Sequence, residues 1–149
     1  MQPQVKGVTS YLVAQNAAAA IEFYKQVFGA VESFRMTDPG DGRIGHAELT
    51  LGDTRIMIAD EYPDFGALSP DSIGGTPITL HVDTDQVDAL VARAKAAGAV
   101  ILRDPADQSY GERNAQLMDP HGYRWTLSQK IEDVDPAEMQ KRWEEETQA

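Results

Sequence analysis

Two stretches of the chain carry apolar residues at the spacing of one face of an α-helix. Apolar residues three and four positions apart form a single stripe on a helix, so the pattern predicts helices over 17–28 and 86–97. Gly29 and Gly98 follow them, and glycine commonly ends a helix at that position. The stripes consist of Ala17, Ala20, Ile21, Tyr24 and Phe28, and of Val87, Leu90, Val91 and Ala94.

The segments around the two predicted helices repeat in the same order. The words Gly29-Ala30-Val31 and Gly98-Ala99-Val100 lie 69 residues apart, and each helix stands between strand-like runs that end in a hairpin. We therefore predict an α+β fold of two βαβββ modules, about 7–61 and 77–130, joined by a Pro- and Gly-rich linker over 61–77. Because neither module buries its apolar face alone, we expect a curved mixed sheet around a concave ligand cavity.

A third helix is predicted outside the repeat, at about 136–147. Asp135 suits the cap, Pro136 the first helical position and Glu138 the third. We expect Trp143 to anchor this helix to the domain or to a partner subunit.

Composition narrows the possible partners. The 149 residues carry a net charge of −11, from 24 acids and 13 bases. This balance disfavours nucleic acid and anionic membranes as partners. Cysteine is absent, which excludes disulfides and thiol nucleophiles and fits a cytoplasmic location.

Several separated motifs occur in order along residues 5–145, and they point to one family. They are Ala20-Ile21-Glu22-Phe23-Tyr24 with Val27-Phe28-Gly29-Ala30, Gly45-His46-Ala47-Glu48-Leu49, Tyr110-Gly111-Glu112-Arg113, Asp119-Pro120-His121-Gly122-Tyr123-Arg124-Trp125 and Glu132-Asp133-Val134. Together they resemble the vicinal oxygen chelate superfamily of glyoxalase I, bleomycin-resistance proteins and extradiol dioxygenases, most closely its PhnB-like branch. The resemblance implies the same paired βαβββ architecture.

The resemblance also implies where a metal would bind. The metal-dependent members hold the ion with His and Glu, and those positions correspond here to Thr9, Pro77 and Thr126, and to a position near Ile58. None of these side chains offers an imidazole or a carboxylate, and threonine hydroxyls are weak ligands for transition metals. We therefore expect no glyoxalase I activity and no cofactor.

Strand alternation selects candidate ligand-binding residues. His46 and Glu48 share one face of their strand, opposite Leu49 and Leu51. Tyr11, Thr79, His81 and Arg124 alternate onto the same strand faces as the ligand positions implied by the resemblance, so we expect them to face the cavity. Tyr110 and Arg113 are added because they lie on the loop before the closing hairpin. The full set is Tyr11, His46, Glu48, Thr79, His81, Tyr110, Arg113 and Arg124.

Three of these residues have alternative roles. His46, Glu48 and His81 are the catalytic candidates: they could hold a relocated divalent metal, or serve as acid and base. Equally, the histidines could only be hydrogen-bonded in a polar cavity, with Glu48 paired to Arg55 or Arg124. For the loop residues, Tyr110 could stack on a ligand and Arg113 bind its carboxylate or phosphate, or Arg113 could pair with one of the many acids.

The main functional hypothesis is a small-molecule binder without a metal, of the ligand-sequestering or resistance type. The alternative is a lyase, isomerase or dioxygenase that uses a relocated metal or a His/Glu acid–base pair. The resemblance further implies a homodimer, since related proteins commonly pair their modules between two chains.

Overall fold

A computed structural model describes residues 1–148 and divides the chain into two compact units. Unit 1 is Met1–Gly75 and unit 2 begins at Thr76. Unit 1 contains β1 (Tyr11–Ala14), α1 (Ala17–Phe28), β2 (Val31–Thr37), β3 (Ile44–Leu51), β4 (Thr54–Asp60), a 3-10 turn (Pro63–Phe65) and α2 (Pro70–Ile73). Unit 2 contains β5 (Thr79–Asp83), α3 (Val87–Ala96), β6 (Val100–Asp107), β7 (Glu112–Met118), β8 (Arg124–Lys130) and α4 (Pro136–Gln148).

Each unit holds one four-stranded mixed sheet. The strand orders are β1-β4-β3-β2 and β5-β8-β7-β6, with the first pair of each parallel and the others antiparallel. This arrangement confirms the predicted α+β class and the two βαβββ modules.

Helix α1 forms as the apolar stripe predicts. Asn16 caps it, since the Asn16 side chain accepts a hydrogen bond from the Ala19 N–H at 3.0 Å. Gly29 ends it with a φ of +68°, a left-handed conformation that glycine adopts without strain. The stripe packs on one face of the sheet, where Leu49 and Ile58 are fully buried. The other face of this sheet is left uncovered by α1.

The first turn of each main helix is tied to the last strand of its own unit. The Asp60 carboxylate accepts from the Ala17 N–H at 2.8 Å, and the Gln129 amide oxygen accepts from the Val87 N–H at 3.0 Å. These bonds satisfy helix donors that have no partner within the helix. Helix α3 begins at Val87 rather than at the predicted residue 86, and its cap Gln86 makes no side-chain hydrogen bond to the helix.

The second hairpin turns around one buried carboxylate. Asp119 is 3% exposed and accepts hydrogen bonds from the His121 and Tyr123 N–H groups and from the Trp125 indole, at 2.8, 3.1 and 2.8 Å. The turn and the buried Trp125 of the same motif are thereby fixed together.

Three predicted boundaries differ from the structure. The first strand begins at Tyr11 rather than at residue 7, and the linker over 61–77 contains a 3-10 turn and α2. The loop predicted to carry Tyr110 and Arg113 is short, because β6 continues to Asp107 and β7 begins at Glu112, and Arg113 therefore lies on β7. The charged side chains and the proline of β6 are tolerated because β6 is the outer strand of this sheet.

Within its own unit, helix α4 is held by an arginine, and Trp143 is 59% exposed there, so it does not anchor the helix to the domain. The Arg142 guanidinium donates to the Ser109 carbonyl at 2.7 Å and to the Glu132 carboxylate at 3.0 Å. Asp135 caps the helix as predicted, accepting from the Glu138 N–H at 2.9 Å. Among the described residues, no helix is long and apolar enough to cross a membrane.

The Glu32 ion pair predicts an acid-sensitive contribution to stability. Hydrogen bonds from Arg35 and then Lys25 lower the pKa of Glu32 from 4.5 to about 2. A lowered folded-state pKa stabilises the protein above the unfolded value, and this stabilisation disappears as the pH falls from 4.5 toward 2. After allowance for solvent screening, we expect Glu32→Gln to lower the free energy of unfolding at pH 7 by about 1–2 kcal/mol, and we expect this difference to shrink as the pH falls from 4.5 through 2.

Urea unfolding from pH 7 to pH 2 measures this effect. Glu22→Gln is the matched control, because that carboxylate is 70% exposed and, among residues 1–148, forms an ion pair with Lys25 alone. A constant difference between Glu32→Gln and the natural protein at all pH values would contradict the assignment.

Candidate functional site

The face of the unit 1 sheet that α1 leaves uncovered carries a cross-strand row of four side chains. In register from β2 to β1 they are Phe34, Glu48, Met57 and Tyr11. A bulge between Glu32 and Phe34 transfers Phe34 to this face, although Glu32 pairs with a residue of the helix-covered face. Phe34 and Tyr11 are 45% and 48% exposed, so aromatic surface is accessible at both ends of the row.

His46 lies at the centre of a hydrogen-bonded chain on this face. Its Nδ1 is 2.8 Å from the Tyr11 hydroxyl and its Nε2 is 2.9 Å from a Glu48 carboxylate oxygen. With Glu48 ionised and the imidazole neutral, Nε2–H donates to Glu48 and Nδ1 accepts from Tyr11. Burial and the Glu48 charge raise the pKa of Tyr11, which keeps its hydroxyl protonated as that donor. The imidazole is therefore oriented through both ring nitrogens.

Glu48 is also paired with an arginine. Its second oxygen accepts from Arg55 at 3.3 Å, and the Glu48 side chain is only 15% exposed. Of the two pairings considered from the sequence, the one with Arg55 is present. The ring of His46 also lies 5.7 Å from that of Phe34 and 5.4 Å from that of Tyr11, measured between centroids. The polar chain is thus bordered by aromatic rings.

A hollow of about 620 Å³ opens beside this chain, within unit 1. Tyr11 belongs both to the hollow and to the His46 chain, so the two are continuous. Tyr62 forms part of the wall and is held by Arg43, whose guanidinium carbon is 3.9 Å from the ring centroid. The other apolar lining residues are Val13, Met36, Pro39, Ala59, Phe65 and Ala67.

The uncovered face of the unit 2 sheet has a different chemistry. Its cross-strand row, in register from β6 to β5, is Arg103, Gln116, Thr126 and His81. His81 is hydrogen-bonded to Asp83 at 3.2 Å. Two further hydrogen bonds fix the opposite end of the row. Arg103 donates to the Asn114 side-chain oxygen at 2.7 Å, and the Asn114 amide donates to the Tyr110 hydroxyl at 2.5 Å.

The structure brings three of the predicted ligand-binding residues into direct contact, namely Tyr11, His46 and Glu48. Thr79, His81, Tyr110 and Arg124 lie in unit 2, with Thr79 and Arg124 opposite each other on β5 and β8. Arg113 is directed elsewhere: it donates twice to Asp88 of α3, both times at 2.8 Å, and once to Asp107. Its contacts match the alternative in which it pairs with acids.

The residues of these faces that the sequence did not reveal are Phe34, Met36, Tyr62, Arg103 and Asn114. Phe34 and Arg103 each follow a bulge that interrupts strand alternation. The motif Gly45–Leu49 identified residues of β3 alone and gave no information about Phe34 and Met36 on the neighbouring strand β2. Tyr62 lies just after β4, in the segment predicted to be a linker.

Within residues 1–148, no group of three or more His, Asp or Glu side chains is arranged to hold a metal ion. The placement of one implied ligand position near Ile58 also needs correction. Ile58 is fully buried under α1, and its neighbours on the uncovered face are Met57 and Ala59. Neither neighbour offers a nitrogen or carboxylate oxygen to a metal.

Comparison with known proteins identifies similar chains. Residues 7–127 match the family model of the Glyoxalase/Bleomycin resistance protein/Dioxygenase superfamily. An uncharacterized protein of Mycobacterium bovis is 38% identical over 136 residues, covering 89% of both chains. The crystal structure of TioX from Micromonospora sp. ML1 is 26% identical with a TM-score of 0.64, covering 84% of this chain and 100% of TioX. A PhnB protein from Bacillus cereus, at 20% identity and a TM-score of 0.66, covers 83% of this chain and 99% of its own, and shares the fold.

Two buried polar side chains of unit 2, Ser128 and Asn114, should contribute differently to the free energy of unfolding. Ser128 is 2% exposed and its hydroxyl has no hydrogen-bond partner among the described residues, whereas the equally buried Asn114 has two. We expect Ser128→Ala to leave the free energy of unfolding unchanged or raise it by up to about 1 kcal/mol, and Asn114→Ala to lower it by about 1–3 kcal/mol. Urea unfolding of both variants measures these values, and a large loss in Ser128→Ala would contradict them.

Proposed function

We propose a small-molecule-binding function for this chain, which belongs to the Glyoxalase/Bleomycin resistance protein/Dioxygenase superfamily. The proposed site is the uncovered face of unit 1 with its adjoining hollow. The observation that supports it most directly is the orientation of His46 through both ring nitrogens, beside aromatic side chains that remain exposed. Such a surface combines fixed polar groups with apolar walls, as small-molecule sites do.

The size and composition of the hollow favour an organic guest. Its volume of about 620 Å³ lies within the range of sites for small organic molecules. Tyr11, Tyr62 and Phe65 offer flat apolar surface, and aromatic rings stack on such surface with modest loss of side-chain entropy. The polar chain then fixes the orientation of the guest, while burial of its apolar area supplies the affinity.

The charge around the hollow favours a neutral or cationic guest over an anionic one. Asp38 lies in the lining and accepts a hydrogen bond from the Tyr62 hydroxyl at 3.3 Å. Glu48 adds a second carboxylate, although Arg55 compensates part of its charge. An aromatic amine or a neutral heteroaromatic compound suits this environment. Sequestration of such a compound, as in resistance-type binders, is the biochemical role we propose.

A second candidate is an enzyme that uses His46 as a general acid and base. The hydrogen-bonded chain from Tyr11 through His46 to Glu48 supports it, because such a chain can move a proton between a bound molecule and the imidazole. Proton NMR of each bound compound, followed for hours with the natural protein, separates the two roles. Chemical conversion that disappears in His46→Ala favours the enzyme, and an unchanged compound favours the binder.

We also propose that the chain forms a homodimer. The outer strand β2 exposes Val31 at 65%, and Met36 of the same strand lines the hollow, so a partner chain seated beside β2 would form a further wall of the proposed site. Exposed apolar patches of this kind mark protein interfaces. Static light scattering should give twice the mass of one chain at micromolar concentration. Val31→Asp should shift the measured mass toward that of the monomer. Val31 is chosen because it lies at the end of β2 farther from His46. A monomeric natural protein would contradict the proposal.

Binding measurements test the proposed site directly. Aromatic amines and neutral heteroaromatic compounds that raise the melting temperature of the natural protein would be titrated calorimetrically against variants. His46→Ala and Glu48→Gln should each weaken binding about ten- to a hundredfold, because each leaves a polar group of the guest or of the site unpaired.

His121→Ala is the control, because His121 lies in the hairpin turn of unit 2 and, in the described part of the chain, is hydrogen-bonded to Asp119 through its backbone N–H and not through its ring. It should bind as tightly as the natural protein. Equal binding by all four proteins would overturn the site, as would the absence of any stabilising compound at millimolar concentration.

A further inference from the structure

We propose that the uncovered face of the unit 2 sheet binds an oxyanion, a carboxylate or phosphate group of a small molecule, at Arg103. The inference goes beyond the proposed function, since it concerns a different unit and a different ligand chemistry.

Arg103 is positioned by the strand and by a buried side chain. The register shift between Ile101 and Arg103 brings Arg103 onto the uncovered face, opposite Gln116. One nitrogen of its guanidinium donates to Asn114, which is 2% exposed and is bonded in turn to Tyr110. A guanidinium carries five N–H donors, and within residues 1–148 no other acceptor contacts this one. The group is therefore held in place with most of its donors available.

Arg103 is also uncompensated by an acid, although the chain carries a net charge of −11. Five other arginines, at positions 35, 43, 55, 113 and 142, form ion pairs with carboxylates. In the described part of the chain, Arg103 and Arg124 form none, and both alternate onto the same face of the sheet. Free guanidinium groups with a planar fork of donors are the side chains that bind carboxylates and phosphates best.

The neighbours of Arg103 restrict the oxyanion to the β6 side of the sheet. Gln116 and Thr126 follow it in the cross-strand row and are neutral, and the Gln116 amide is 3.4 Å from the Thr126 hydroxyl. The row ends at β5 with His81, which is already bonded to Asp83. A negative group is thus attracted by Arg103 and repelled by Asp83. Adjacent strands are about 4.8 Å apart, so a carboxylate on Arg103 also reaches the Gln116 amide.

Nuclear magnetic resonance of the full-length, nitrogen-15-labelled protein tests the proposal. The probes are sodium benzoate, phenyl phosphate and benzyl alcohol, which share one ring and differ in the attached group. We expect the anions to shift the backbone signals of Arg103, Gln116 and Thr126, and benzyl alcohol to leave them unchanged. The anion that binds more tightly distinguishes a carboxylate from a phosphate. Shifts that are equal for benzyl alcohol, or confined to other strands, would overturn the site.

Two arginine variants with the same change of net charge provide the decisive comparison. Arg103→Gln should weaken binding of the preferred anion at least about tenfold. Arg113→Gln should leave it unchanged, because Arg113 is already paired with Asp88 and Asp107 toward the helix side. An equal loss of anion affinity in both variants would mean that net charge alone explains the effect, and it would contradict the proposal. If Arg103→Gln does not fold, the shift map of the natural protein decides alone.

His46→Ala separates this inference from the function proposed above. His46 belongs to unit 1, where its two ring nitrogens are bonded to Tyr11 and Glu48, so this variant should bind the anion as the natural protein does. Loss of anion binding in His46→Ala would contradict an independent oxyanion site while leaving the unit 1 site intact.

Discussion

Each sheet of this protein has one main helix, and that single packing constraint governs the rest of the structure. In unit 1, α1 covers the face that holds Leu49 and Ile58, and the alternate residues of the same strands are left on the other face. The helix is fixed in this position by its apolar stripe and by the bond from the Ala17 N–H to Asp60. In unit 2 the bond from Val87 to Gln129 serves the same purpose. His46, Glu48 and Arg103 lie on the faces that this arrangement leaves without a covering helix.

The repeated scaffold carries different chemistry on its two uncovered faces. Equivalent positions of the cross-strand rows hold Phe34 and Arg103, Glu48 and Gln116, and Tyr11 and His81. The unit 1 face is therefore aromatic with an oriented histidine, and the unit 2 face is polar with an uncompensated arginine. Because backbone pairing is the same in both, side chains on these faces can change without altering the core, which is how one fold accommodates many ligands.

Local patterns in the sequence were sufficient to predict the modules, the main helices and the sharing of one face by His46 and Glu48. They depend on helical and strand periodicity, which neighbouring residues determine. The positions of Phe34 and Arg103 could not be predicted, because each follows a bulge that reverses the alternation. The contacts of Arg113 were equally inaccessible, since Asp88 lies 25 residues away on α3. The contact that holds α4 within its own unit was also not predictable, because the sequence does not show that Arg142 reaches the Ser109 carbonyl.

Methyl NMR tests most directly whether the uncovered face of unit 1 is a binding surface. Met57 lies on that face and Met36 lines the hollow, while Ile56 and Ile58 of the same strand β4 lie under α1. With carbon-13 in the methionine and isoleucine methyl groups, a bound aromatic amine or heteroaromatic compound should shift the signals of Met36 and Met57 and leave those of Ile56 and Ile58 unchanged. Shifts at Ile56 and Ile58 with none at Met36 and Met57 would contradict the account.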